Sequence, residues 1–208
     1  GHSQGGLLTK MSVVRTGDKL WRAISKVSLE ELKAEPAIKK KLREGLFLQP
    51  LPFVKRVVFI ATPHRGSFRV KPWVQNLLRR LITLPYNILT TNPKAYFDVM
   101  KQLNLPLEAR TRSITSVDSQ SPSNPVLKAL VEIPVVTEVK AHSIIAVEGK
   151  GDPVKGNDSV VKYSSAHLEG VESEFIVRSS HSCQGNPLVI EEVRRILMVH
   201  LESLQSLL

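Results

Sequence analysis

The sequence predicts an α/β chain, with parallel strands, helices on both faces and a helical insertion between the first two strands. Two observations carry this. Three short apolar, β-branched runs, 54–61 (VKRVVFIA), 143–148 (SIIAVE) and 174–178 (EFIVR), read as buried strands. Helix-like segments alternate with them, and strands joined through helices build a parallel sheet covered on both sides. The 208 residues, 42% of them hydrophobic, suffice for one domain with its own core.

Taken in order, residues 5–14 predict a helix, and 29–43 predict one or two helices broken near Pro36. Residues 73–84 and 93–103 predict helices after the first strand. The stretch 67–141 is long for a simple crossover. It is punctuated by Leu84-Pro85, Asn92-Pro93, Leu105-Pro106 and Ser121-Pro122, and it reads as a cap-like insertion in a domain spanning 1–208. In the last helix Asn186 suits the cap and Pro187 the first turn, with Glu191 and Glu192 near the positive end. There Val189, Val193, Ile196, Leu197 and Leu201 repeat at helical spacing and predict one apolar face.

Composition narrows the function. The formal charge is +10, but Lys39 to Lys41, Arg79, Arg80, Arg194 and Arg195 are scattered over helix-like segments. Stacking aromatics do not interleave with them, so nucleic-acid binding is not expected. No apolar run approaches the roughly 18 residues of a transmembrane helix. The single cysteine, Cys183, excludes an intrachain disulfide and a cysteine-based zinc site.

The chemistry is concentrated in loops. Gly1-His2-Ser3-Gln4-Gly5 fits G-x-S-x-G, a sharp strand-to-helix turn that projects a serine hydroxyl from the sheet. The flanking glycines are expected where side chains would clash with neighbouring backbone. The helix beginning there points its positive end at the reaction centre, and the Gln4 amide is placed to donate to an oxyanion. Such a serine needs an acid and then a histidine, in that order, on loops past later strands. His181 follows EFIVR after only Ser179 and Ser180, and Asp158 lies in the loop after SIIAVE. Ser3 is thus the candidate nucleophile, His181 its base, and Asp158 the group orienting the imidazole.

Other residues compete for these roles. Asp152 is the rival acid, but it sits before Pro153 in a solvated Gly- and Lys-rich stretch, whereas Asp158 precedes the anchoring Val160 and Val161. His142 precedes a strand and so belongs to the wrong edge. His2 is expected to pack beside the serine, and His64 to make structural hydrogen bonds. His167 and His200 read as surface or structural residues, and Cys183 as a small packing residue.

These segments carry a family resemblance. GHSQGG resembles the GHSMGG or GHSQGG elbow of bacterial α/β-hydrolase lipases and esterases, and FIATPHRGS resembles a strand segment in which T-P-H-x-G-S recurs. NDSVVKYSSAHL resembles the D-G-V-V-x-x-x-S-A segment bearing the acid, and VRSSHSCQGNPLVIEEVRRIL resembles the histidine loop and final helix. The resemblance covers nearly the whole chain. It implies the triad Ser3, Asp158 and His181, and an α/β-hydrolase fold of which this chain holds the C-terminal half. A longer enzyme is therefore expected, with further strands and a second oxyanion donor upstream. Ser159 departs from the pattern, standing where the family has glycine after the acid.

The expected activity is hydrolysis of carboxylic esters, of small molecules or lipids, through an acyl-enzyme on Ser3. Apolar helix faces in the insertion (Trp73, Leu77, Leu78, Leu81; Tyr96, Phe97, Met100, Leu103) would suit an acyl pocket or simply a core. Acyl transfer or amide hydrolysis by the same residues is the alternative, and a non-catalytic binding domain of the same fold is the reading from another class. No metal or organic cofactor is implied.

Overall fold

A computed structural model describes residues 1–67, 98–99, 101–103 and 124–205. The chain divides into two compact units, one of Gly1–Val13, Leu51–Arg69 and Val135–Leu208, the other of Val14–Pro50 and Val70–Pro134.

The first unit is built on a three-stranded parallel sheet, β1 (Arg56–Ile60), β2 (Lys140–Val147) and β3 (Ser173–Arg178), in that spatial order. Val, Ile and Phe supply most of these residues, and their stiff, bulky side chains suit a pleated sheet packed on both faces. Phe59 pairs with Ser143, and Ile144 with Phe175. β2 is central and buried from Ala141 onward. It begins earlier than the apolar run because Lys140 and His142 pair with Arg56 and Val58. His142 therefore lies within the strand, its polar ring buried among polar partners rather than ahead of the sheet.

Alternation sends successive side chains to opposite layers. On one face Val57, Phe59 and Ala141 pack with Val13 and Leu168, while Ile145 and Val147 pack with Val160, Val161 and Ala166. This face carries α1 (Gln4–Met11) and the short helix α5 (Tyr163–Ala166). On the other face Ile144, Ala146 and Val177 pack with Cys183 and with Val189 of the last helix, α6 (Pro187–Gln205). Asn186 caps α6, its side chain accepting from the Leu188 amide at 2.9 Å, and Pro187 opens the helix. The predicted apolar face of α6 is only partly used. Val189 and Ile196 are buried, whereas Leu197 and Leu201 are exposed.

The second unit is helical among the described residues, with α2 (Lys19–Arg22), α3 (Pro36–Leu46) and α4 (Pro125–Glu132). Residues 29–31 form a turn and only Pro36 onward is helical, since proline favours the first turn and is excluded from the interior. Ile38, Leu42 and Leu46 recur every four residues and are buried, leaving Lys40 and Lys41 outward. Asn124 caps α4 by accepting from the Val126 and Leu127 amides, ahead of Pro125. Of the stretch 67–141 read as an insertion, residues 135–141 belong to the sheet unit, and the helical unit also draws on Val14–Pro50. The helix expected at 73–84 lies outside the described residues, as does most of 93–103, where residues 98, 99, 101 and 102 are helical.

Candidate active site

The chain passes from sheet to helix at its first residues. His2 forms a parallel bridge with Ile60, so Gly1 and His2 run beside β1 as a short extended segment. The Ser3 amide donates to the Ile60 carbonyl at 2.7 Å and the Ile60 amide donates to the Gly1 carbonyl at 2.9 Å. Ser3 then takes φ 53° and ψ −123°, a backbone conformation L-residues rarely adopt, and α1 begins at Gln4.

A Cβ on Gly1 would overlap the Gly5 carbonyl and the Thr9 hydroxyl, as expected for this turn. Gly5 is different. Its Cβ would meet open space, and the crowded position is Gly6, against the side chain of Thr62. The close approach is thus between the second helical turn-forming glycine and the loop leaving β1, a contact between segments remote in sequence.

The candidate acid and base lie at the same edge. Asp158 follows β2 and the 3₁₀ turn Pro153–Lys155, and His181 follows β3 by three residues. The structure brings Ser3, Asp158 and His181 into one line. His181 Nδ1 lies 2.7 Å from Asp158 Oδ2, and His181 Nε2 lies 2.8 Å from Ser3 Oγ. A carboxylate only accepts, so Nδ1–H donates to Asp158, and Nε2 accepts from the Ser3 hydroxyl. The three residues are buried, at 3%, 1% and 6% exposure respectively.

Local bonds hold each partner. The second carboxylate oxygen of Asp158 accepts from the Val160 and Val161 amides at 2.9 and 2.6 Å, which leaves Oδ2 for the imidazole. The His181 amide donates to the Asp158 carbonyl at 3.0 Å, tying the two loops by backbone as well. Ser159 sits at φ 72°, in the left-handed region. The turn is therefore made with serine where glycine would take it without strain, and the Asn157 side chain accepts from the Ser159 amide at 2.9 Å. Gln4 opens α1 directly after Ser3. The Gly5 and Gly6 amides turn back to the His2 and Ser3 carbonyls.

The competing residues fall elsewhere. Asp152 is exposed and caps the turn after it, accepting from the Val154 amide at 3.1 Å. Cys183 is fully buried, and burial pushes its thiol up to about 11, away from the thiolate a nucleophile needs. His167, which ends α5, is bonded to Glu174 and Glu169.

Two histidines differ from the sequence reading. His2 does more than pack. Its Nε2–H donates to the His181 carbonyl at 2.8 Å, with the ring centroids 5.1 Å apart. No residue pattern marks that bond, because it joins positions 179 apart. His64, expected to make structural hydrogen bonds, is 1% exposed, and neither ring nitrogen meets a partner among the described residues. It instead packs edge-on against Phe59, at 4.9 Å. Burial, with Lys10 and Arg65 nearby, lowers its pKa to about 3, so the ring is neutral.

Among the described residues no cluster of three or more His, Cys, Asp or Glu could hold a metal ion, and no helix is long and apolar enough to cross a membrane. No protein-family model matches the chain, and no curated protein sequence matches it.

Proposed function

We propose that this chain is a serine hydrolase of the α/β-hydrolase type that cleaves carboxylic esters. The observation that carries the reading is the unbroken hydrogen-bonded line from Asp158 through His181 to Ser3 Oγ. The strained backbone of Ser3 at the start of α1 supports it, since such strain persists where a side chain must be held in place.

In this mechanism the Ser3 oxygen attacks the ester carbonyl carbon as its proton passes to His181 Nε2. Asp158 stabilises the resulting imidazolium through Nδ1–H. The tetrahedral oxyanion forms at the positive end of α1, where the Gln4 amide donates to it. The C–O bond to the alcohol then breaks, and His181 returns the proton to the leaving oxygen. Water adds to the acyl-enzyme by the same route, its proton going to Nε2, and the acid leaves as Ser3 regains its hydrogen. The apolar faces predicted at 73–84 and 93–103, which would shape an acyl pocket, fall almost entirely outside the described residues.

A fluorophosphonate probe tests the reading, because it phosphonylates only an activated serine. The expected result is one adduct, on the peptide bearing Ser3, lost in Ser3→Ala. An unlabelled wild-type chain, or labelling unchanged by Ser3→Ala, would overturn it.

A further inference from the structure

We propose that Ser67 is a positioning residue for Asp158, fixing the turn that aims the carboxylate at His181; the proposal rests on the serine-hydrolase reading above. Ser67 is 2% exposed, and its hydroxyl donates to the Val160 carbonyl at 2.6 Å. Val160 is one of the two residues whose amides grip the outer oxygen of Asp158. The 159–160 segment is thus held from both sides, by the carboxylate at the Val160 amide and by Ser67 at its carbonyl. Shifting this turn would rotate the carboxylate away from the imidazole.

The loop carrying Ser67 is itself anchored. The Ser165 hydroxyl donates to the Gly66 carbonyl at 2.5 Å and accepts from the Arg65 amide at 3.2 Å. The Arg65 guanidinium donates to the Ser164 carbonyl at 3.2 Å and to the His167 carbonyl. The same loop leaves β1 directly after Ile60, whose carbonyl accepts from the Ser3 amide. Residues 61–67 therefore join the strand beside the nucleophile to the turn bearing the acid. Ser67 is the last link on the acid's side. Alanine would satisfy packing at such a buried position, whereas a hydroxyl costs desolvation unless its bond is made.

The test measures fluorophosphonate inactivation rates for wild type, Ser67→Ala, Asp158→Asn and the double variant, with circular dichroism confirming the fold. Ser67→Ala is expected to slow inactivation by about tenfold or more, since small misplacements of catalytic groups carry penalties of that order. In the Asp158→Asn background the same change is expected to cost less than about twofold, because the group it positions has already lost its role. If Ser67→Ala does not fold, Ser67→Thr and Ser67→Val replace it. They match in shape, so a rate retained by threonine and lost by valine reads the hydroxyl alone. Equal rates for wild type and Ser67→Ala, equal rates for the Thr and Val variants, or an undiminished effect beside Asp158→Asn overturn the proposal and leave the serine-hydrolase reading standing. A wild-type chain that the probe does not label overturns both.

Discussion

Both ends of the small sheet hold a buried histidine bonded to a serine, yet the two constellations differ in what stands behind the ring. At the C-terminal end of the strands His181 lies between Ser3 and the Asp158 carboxylate. At the N-terminal end His142 lies between Ser173 Oγ, 2.7 Å away, and Arg56, whose Nη1 is 2.6 Å from His142 Nε2. A guanidinium only donates, so His142 Nε2 accepts from it and Nδ1–H donates to Ser173. The accepting nitrogen is already occupied, and the ring cannot take a proton from the serine. At the other end the carboxylate holds the same Nδ1–H tautomer, but there the donating nitrogen faces the acid and the accepting Nε2 faces Ser3. The group behind each ring thus decides whether it offers its serine an accepting nitrogen, as the proposed base must, or a donating one, as a brace does.

The ends differ in strain too. The non-glycine residues with positive φ among the described residues are Ser3, Ala61 and Ser159. Ser3 and Ala61 lie just past extended segments and Ser159 lies in the loop that follows β2, so all three belong to the C-terminal edge of the sheet.

The largest expected effect breaks the comparison directly. His181→Ala should reduce ester hydrolysis by about 10⁴-fold or more, as removing a triad base does. His142→Ala should leave the rate per folded molecule within about twofold while lowering stability by about 1–3 kcal/mol, the cost of stranding buried polar partners. Hydrolysis of a p-nitrophenyl ester alongside thermal melts checks both, and a His142→Ala enzyme as inactive as His181→Ala would end the distinction.

Acid tests the brace. Burial first, and Arg56 second, lower the pKa of His142, and burial lowers that of His64 to about 3. The unfolded chain takes up protons near 6.5 that these folded rings refuse. The stability they support is therefore complete above pH 6.5 and is lost as pH falls below it. For His64 the loss at pH 5 is about 2 kcal/mol. Urea unfolding from pH 7.5 to 5 should show falling stability, with His64→Phe and His142→Phe each flattening the curve. An unchanged slope in both variants would contradict the assignment.

The smallest effect sharpens the contrast in strain. Ser159→Gly should raise stability by about 0.5–1 kcal/mol, since relief of a left-handed serine outweighs the added freedom of glycine in the unfolded chain. Differential scanning calorimetry would register it, and a lower melting temperature would show that the freedom of glycine in the unfolded chain outweighs the relieved strain.

Much of the sheet unit was legible because its signals are local. The apolar runs around Val58, Ile145 and Ile176 mark strands by composition alone, and Asn186-Pro187 marks the start of α6. The three candidate residues were legible for a related reason. Each lies a short distance past a strand or just before a helix, and parallel strands bring all their C-terminal ends to one edge. What stayed hidden depends on neighbours distant in the chain. The start of β2 was obscured by Lys140 and His142, whose polarity is absorbed by Glu172, Arg56 and Ser173 across the sheet. Which part of its apolar face α6 buries, Val189 and Ile196 but not Leu197 and Leu201, is set by what packs against the helix rather than by its periodicity.

The sequence by itself determined the parallel α/β class, the apolar centres of the three strands, the start of α6, and the serine, aspartate and histidine that lie at one edge. Periodicity, capping and turn chemistry act over a few residues and can be read in one dimension. Only the tertiary structure decided that Gly6 rather than Gly5 carries the steric demand, that His2 grips the His181 carbonyl, and that Ser67 holds the turn behind Asp158. Those contacts join residues from 56 to 179 positions apart. Hydrogen bonds of about 3 Å and van der Waals overlap have no signature until the sheet has brought their partners together.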